Sequence, residues 1–153
     1  MVEIRGKSII DINVNGSIKS IAVRPADTLL YVLREQLGLT KAKNCCENGD
    51  CDECTILIDG WPVKACLMLA VEAMGHDITT IEALKDDSIQ SSLVEKFALQ
   101  GGYCIPGIIM NCHAIFKIYP DATDDVLEEW MESNICGHTE YHKKRQNVKS
   151  VMA

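Results

Sequence analysis

Residues 45–60 read Cys45-Cys46-Glu47-Asn48-Gly49-Asp50-Cys51-Asp52-Glu53-Cys54-Thr55-Ile56-Leu57-Ile58-Asp59-Gly60. Cys46, Cys51 and Cys54 stand in the order C-x4-C-x2-C, and Cys66 follows on a separate segment. The run from Cys54 to Ile58 is apolar and β-branched, so it reads as a strand. Asp59-Gly60 reads as a tight turn, and Trp61-Pro62-Val63 as a short return. A strand and turn of this kind carry the chain away from three thiols and bring a fourth back to them.

That arrangement has a chemical reading. Two irons need four thiolates, and the C-x4-C-x2-C…C spacing is that of plant-type [2Fe–2S] centres. A tight loop wraps three ligands around one side, and the fourth comes from elsewhere. Cys45 competes for the first place, but choosing it would give C-x5-C, so Cys46 is the expected ligand. Four cysteines also suit tetrahedral zinc. Zinc ribbons carry paired C-x2-C knuckles, and only one is present, which favours iron–sulfur over zinc.

Outward from the loop, Ser8 to Val14 partly alternates apolar and polar residues as a strand does, and Asn15-Gly16 is a strong hairpin signal. Ile18 to Val23 is the expected return strand. Asp27 or Thr28 can cap a helix carrying Leu29, Leu30, Val32, Leu33 and Leu37, with Gly38 at its stop. Cys66 to Ala73 reads as a short helix and Ile78 to Ile81 as a last strand. Beyond residues 82–87 the pattern turns helical: Ser88 to Leu99, Pro106 to Tyr119, Thr123 to Ser133 and Thr139 to Val151. The expected division is therefore residues 1–82, rich in strands, and residues 83–153, a small helical bundle.

The chain has 153 residues, a formal net charge of -7 and 47% hydrophobic residues, which fits one or two small folded domains. The acidic balance argues against a nucleic-acid partner. The basic cluster Lys143-Lys144-Arg145 reads as a solvated helix end. No stretch approaches the ~20 apolar residues of a membrane helix, and the amino terminus lacks an apolar signal core. A cytoplasmic, reducing compartment is the expectation, and there eight cysteines point to metal or to buried thiols rather than to disulfides. No triad, P-loop or dinucleotide fingerprint is present, so independent catalysis is not expected.

The segment Cys45 to Gly60 resembles the plant-type cluster loop of the molybdenum hydroxylases, which include xanthine dehydrogenase, aldehyde oxidoreductase and aerobic CO dehydrogenase. Leu33-Arg34-Glu35, Lys64 to Ala70 and the Asp59-Gly60 turn extend the match, and the chain as a whole resembles the family's separate small iron–sulfur subunit. The resemblance implies an α+β fold: a plant-type ferredoxin-like β-grasp domain followed by a small four-helix bundle. It implies electron transfer between a molybdenum–pterin centre on a large partner subunit and FAD on a third chain. Gln100 matches a family residue beside the pterin.

The resemblance also exposes departures. The family's helical half holds a second [2Fe–2S] cluster through Gln-Cys-Gly-Phe-Cys-Thr-Pro-Gly and a later Cys-Arg-Cys. Here Gln100 to Gly107 and Asn134 to Thr139 occupy those places, so Cys104 and Cys136 remain while Gly101 and His138 replace cysteines. Imidazole can bind iron and raises a cluster's potential. Cys112 and His113 follow Cys104 along a helix, and eight residues at 1.5 Å each put Cys112 roughly 12 Å away, too far for one small cluster. The readings open at this site are a modified cluster on Cys104, Cys136 and His138, an empty helical half in a structural or regulatory subunit, or another metal. Cys45 and Cys112 are expected to be spectators. In the first loop, Asp52 and Glu53 stand where the family favours Gly-Ala. With Asp50 they would lower the cluster's potential if ionised and close, and have little effect if solvated.

Overall fold

The computed structural model of the chain describes residues 3–4, 6–84, 88–97, 102–134, 146 and 148–150. The fold is α+β, a mixed sheet followed by helices. Strands β1 (Glu3–Ile4), β2 (Lys7–Val14) and β3 (Ser17–Val23) open the chain. The β2–β3 hairpin turns at Asn15 and Gly16, with φ of 52° and 76°, as the Asn-Gly pair requires. Strand β4 (Thr55–Ile58) pairs antiparallel with β5 (Trp61–Lys64) across the Asp59-Gly60 turn. Strand β6 (Asp77–Thr79) closes the sheet, parallel to β2 and antiparallel to β4.

Helix α1 (Leu29–Tyr31) continues as a π-helical turn over Val32–Gln36. Of the two capping candidates Thr28 is the cap, its hydroxyl accepting from the Tyr31 N–H at 3.2 Å. Asp27 instead accepts from the Arg24 N–H at 2.8 Å and from Arg24 Nε at 2.9 Å. The helix expected over Cys66–Ala73 shrinks to a 3-10 turn at Ala70–Ala73. Backbone bonds explain the difference. The Leu29 N–H reaches Met68 O at 2.7 Å, the Ala70 N–H reaches Asp27 O at 2.9 Å, and Thr28 bridges Leu69. Leu69 is thus held extended against the start of α1, and Leu67 closes a turn on Lys64 O, so a helix cannot run through this segment. The last strand ends at Thr79, and Ile81–Ala83 is a 3-10 turn.

Helices α2 (Ser88–Phe97), α3 (Ile105–Ile118) and α4 (Asp124–Met131) follow. Pro106 sits in the first turn of α3, where its missing N–H is harmless. Asp124 and Asp125 occupy the first turn of α4. The helix expected over Thr139–Val151 lies largely outside the described residues; Gln146 and Val148 to Ser150 are helical.

Two apolar clusters meet at β4. Ile56 and Ile58 join Ile10, Ile12, Val23, Leu29 and Leu33 on one face of the sheet. Leu57, between them in sequence, points the other way and joins Ile81, Ile108, Ile109 and Met110. All four residues of β4 are buried, which is why Thr-Ile-Leu-Ile reads as a continuous run and not as an alternating one. Helix α3 is buried from Gly107 to Ile115, as a helix covered on every side must be.

Candidate metal centre

The cysteine loop spans the gap between the π-helical turn and β4. Arg34 fixes its start: its guanidinium donates to Thr40 O at 2.8 Å and to Ala42 O at 2.7 Å. The Lys43 N–H donates to Glu53 O at 2.9 Å and ties the loop's start to its end. In between the backbone turns left-handed three times, at Glu47, Gly49 and Asp52, with φ of 57°, 87° and 59°. Gly49 suits such a turn without strain, and the short polar side chain of Asp52 tolerates it.

These turns bring the thiols together. Cys46 and Cys51 interact through their side chains, Cys51 lies beside Cys54, and Cys54 interacts with Cys66. Cys51 and Cys54 are buried, while Cys46 and Cys66 are half-buried. Burial works against a Cys46 thiolate, but the backbone N–H groups of Asn48, Cys51 and Asp50 point at its sulfur and bring its pKa down to about 7. Burial pushes the Cys51 thiol up, and pushes Cys54 up to about 12 against the opposing Cys66 N–H. Four thiols linked pairwise in this order, with backbone N–H groups facing Cys46, Cys51 and Cys54, have the ligand chemistry of an iron–sulfur group. The thiolates are anionic ligands, and the amides offset charge that burial would otherwise oppose.

Cys45 behaves differently. A hydrogen bond from its thiol to the Glu53 carboxylate raises its pKa to about 11, so it remains a protonated donor. This separates its surroundings from those of Cys46. Cys45 is nonetheless no distant bystander, since its sulfur, the Cys51 sulfur and a Glu53 oxygen lie within 4.8 Å of one another.

The pairing of Lys64 with Asp52 was not visible in the sequence. Lys64 lies two positions before Cys66 and crosses to the loop, pairing with Asp52 Oδ1 at 2.7 Å and donating to Gly49 O. Burial lowers its pKa, but Asp52, Cys54 and Cys46 outweigh that and raise it. The acidic residues are therefore not a uniform crowd. Asp50 is exposed, Glu53 is buried beside Cys45, and Asp52 is buried at 3% exposure and paired. The only sequence signal for this was Asp52 standing where the resemblance favours glycine.

The helical half presses on the same loop. A Cβ on Gly107 would stand 2.2 Å from Asp52 O, so α3 and the loop touch backbone to backbone. Cys104 is buried at the N-cap position of α3. Cys112 and His113 are buried within α3. The remaining second-site candidates, Gln100, Gly101, Cys136 and His138, lie outside the described residues.

Comparison with known proteins agrees with this geometry. Residues 12–78 match the 2Fe-2S iron-sulfur cluster binding domain and residues 80–149 the [2Fe-2S] binding domain. The chain is 39% identical to the nicotinate dehydrogenase small FeS subunit of Eubacterium barkeri over 141 residues, 90% of each chain. Among solved structures, quinoline 2-oxidoreductase from Pseudomonas putida 86 superposes with a TM-score of 0.86 at 35% identity, covering 96% of this chain and 94% of that one. The aldehyde oxidoreductase from Desulfovibrio desulfuricans gives 0.85 at 30% identity, over 94% of this chain but 17% of its own much longer one. With two [2Fe-2S] domain matches in sequence order and relatives alike along nearly its whole length, this chain belongs to the small iron–sulfur subunits of the molybdenum hydroxylase family.

Proposed function

We propose that the chain is the electron relay of a cytoplasmic molybdenum-dependent oxidoreductase complex. In this reading residues 1–82 form the plant-type domain and residues 83–153 the second cluster-binding domain. Cys46, Cys51, Cys54 and Cys66 hold the first [2Fe–2S] cluster, and Cys104, Cys136 and His138 belong to the second site. Gln100 contacts the molybdenum–pterin of a large partner subunit, and FAD on another subunit, or a different acceptor, takes the electrons onward. A bound [2Fe–2S] cluster supplies one-electron chemistry. The chain's own residues would hold it, with backbone N–H groups facing the cysteine sulfurs and the loop seated against α3. The observation that carries the reading is the convergence of these four thiols with three N–H groups around Cys46.

The test is iron, sulfide and zinc analysis of the purified chain with its co-purifying subunits, alongside Cys51→Ser and Cys54→Ser variants. Iron and sulfide with strong visible absorbance are expected in the wild type, and severe depletion of the plant-type signal in either variant. Zinc without iron, or unchanged iron content and spectrum in both variants, would refute the assignment. Gly101 and His138, in place of family cysteines, favour a second reading in which only the first cluster is present and the subunit is structural or regulatory. Reduced-state EPR separates the two: two distinct signals for the full relay, one for the truncated form.

A further inference from the structure

The side chain of Asp52 has partners from both halves of the chain. It lies between two proposed ligands, Cys51 and Cys54, and is 3% exposed. On one side Lys64 Nζ stands 2.7 Å from its Oδ1. On the other its Oδ2 accepts from the Ser133 hydroxyl, 81 positions away, with Asn111 Nδ2 at 3.5 Å. Asn111 in turn donates to Asn134 Oδ1 at 3.1 Å and accepts at its carbonyl from Trp130 Nε1 at 3.2 Å. Ser133 and Asn134 are the residues that lead into Cys136. The loop of the first site and the segment entering the second are therefore joined through one carboxylate.

A buried charge pair beside a redox centre acts on it strongly, because the local dielectric is low. Reduction adds one negative charge, which Lys64 favours and Asp52 opposes. Any movement of one partner unbalances the pair. The burial of the two is unequal, with the Lys64 side chain 31% exposed and that of Asp52 3%, so water screens the lysine more than the carboxylate. Ser133 and Asn111 hold that carboxylate in place from the helical half. Lys64 holds the pair to the loop through Gly49 O.

We propose that Asp52 and Lys64 form a charge pair that sets the reduction potential of the first cluster, positioned by Ser133 and Asn111 so that the packing of the helical half against the loop controls it. This rests on the iron–sulfur reading of the four thiols. Asp52 and Lys64 are positioning residues; neither ligates the metal. The arrangement makes the first cluster's ease of reduction depend on how α3 and Ser133 are seated against the loop.

The experiment is a redox titration of the full chain with its accompanying subunits, followed by EPR and visible circular dichroism. Asp52→Asn keeps the size of the side chain and tolerates the left-handed backbone. It should raise the first cluster's potential, with a shift in the reduction equilibrium of about tenfold, ~59 mV for one electron. Lys64→Gln should lower it, and Lys64→Arg should restore nearly the wild-type value. Ser133→Ala strips a donor from the carboxylate and should give a smaller lowering. Opposite signs for Asp52→Asn and Lys64→Gln, with iron and sulfide retained, are the expected result. Shifts of the same sign, no shift in either, or a Ser133→Ala variant with unchanged potential would overturn the proposal while leaving the cluster assignment standing. A wild-type chain without iron or sulfide would overturn both.

Discussion

At the scale of the residue, the two cysteines side by side at 45 and 46 show how local chemistry divides identical groups. Three backbone N–H groups lower Cys46 to about 7, whereas a carboxylate partner holds Cys45 at about 11. Spacing already favoured Cys46, but the cause of the difference lay in loop torsions and in Glu53, which a linear sequence does not display. Asp27 offers a cleaner titration, away from the thiols. It is 4% exposed, and its burial opposes ionisation, yet the Arg24 guanidinium and N–H lower its pKa below the ordinary 3.8. A group with a depressed native pKa stabilises the fold above its unfolded pKa and loses that contribution as pH falls through the native value. Asp27→Asn should therefore cost ~1 kcal/mol near neutrality, discounted for the exposed arginine. The difference from wild type should shrink below pH 3.8 as Asp27 takes up its proton. Urea unfolding at a series of pH values checks both.

At the scale of the element, period and turn chemistry made most of the framework legible. Asn15-Gly16 and Asp59-Gly60 gave the β2–β3 and β4–β5 hairpins, and Pro106 with the apolar run after it gave α3 to within a residue. The segment from Cys66 to Ala73 was misleading because its apolar composition suits a helix equally well. What decided it was pairing with Asp27 to Leu29, a distant stretch whose backbone groups took its hydrogen bonds. The contact of α3 with the cysteine loop was also invisible, since Gly107 gives no sign in the sequence of what faces it. A methyl group at that position would lie 2.2 Å from a carbonyl oxygen, and neither backbone can yield cheaply. Alanine gains up to about 1 kcal/mol of helix propensity over glycine, but overpacking costs 1–3 kcal/mol or more. Gly107→Ala should thus destabilise the protein by ~2 kcal/mol and loosen the Asp52 turn. Thermal unfolding, with visible circular dichroism to follow the loop, measures the two effects.

At the scale of the whole molecule, β4 is the common wall of both apolar clusters, with Ile56 and Ile58 facing one and Leu57 the other. The sequence boundary near residue 82 marks a change of secondary structure, and packing continues across it. Leu57→Ala removes buried volume at this wall, and a loss of roughly 2–5 kcal/mol is expected. The sheet and the helices should lose it together. Near-ultraviolet and far-ultraviolet circular dichroism should report one shared transition, and two separated transitions would show that the halves melt independently. The ties made by Arg34, Lys43 and Lys64 have a further consequence, for assembly. They hold the cysteine loop at its beginning, middle and end through the chain's own atoms. Part of the loop's conformational entropy is therefore lost when the protein folds, and a metal that binds there has that much less ordering to offset.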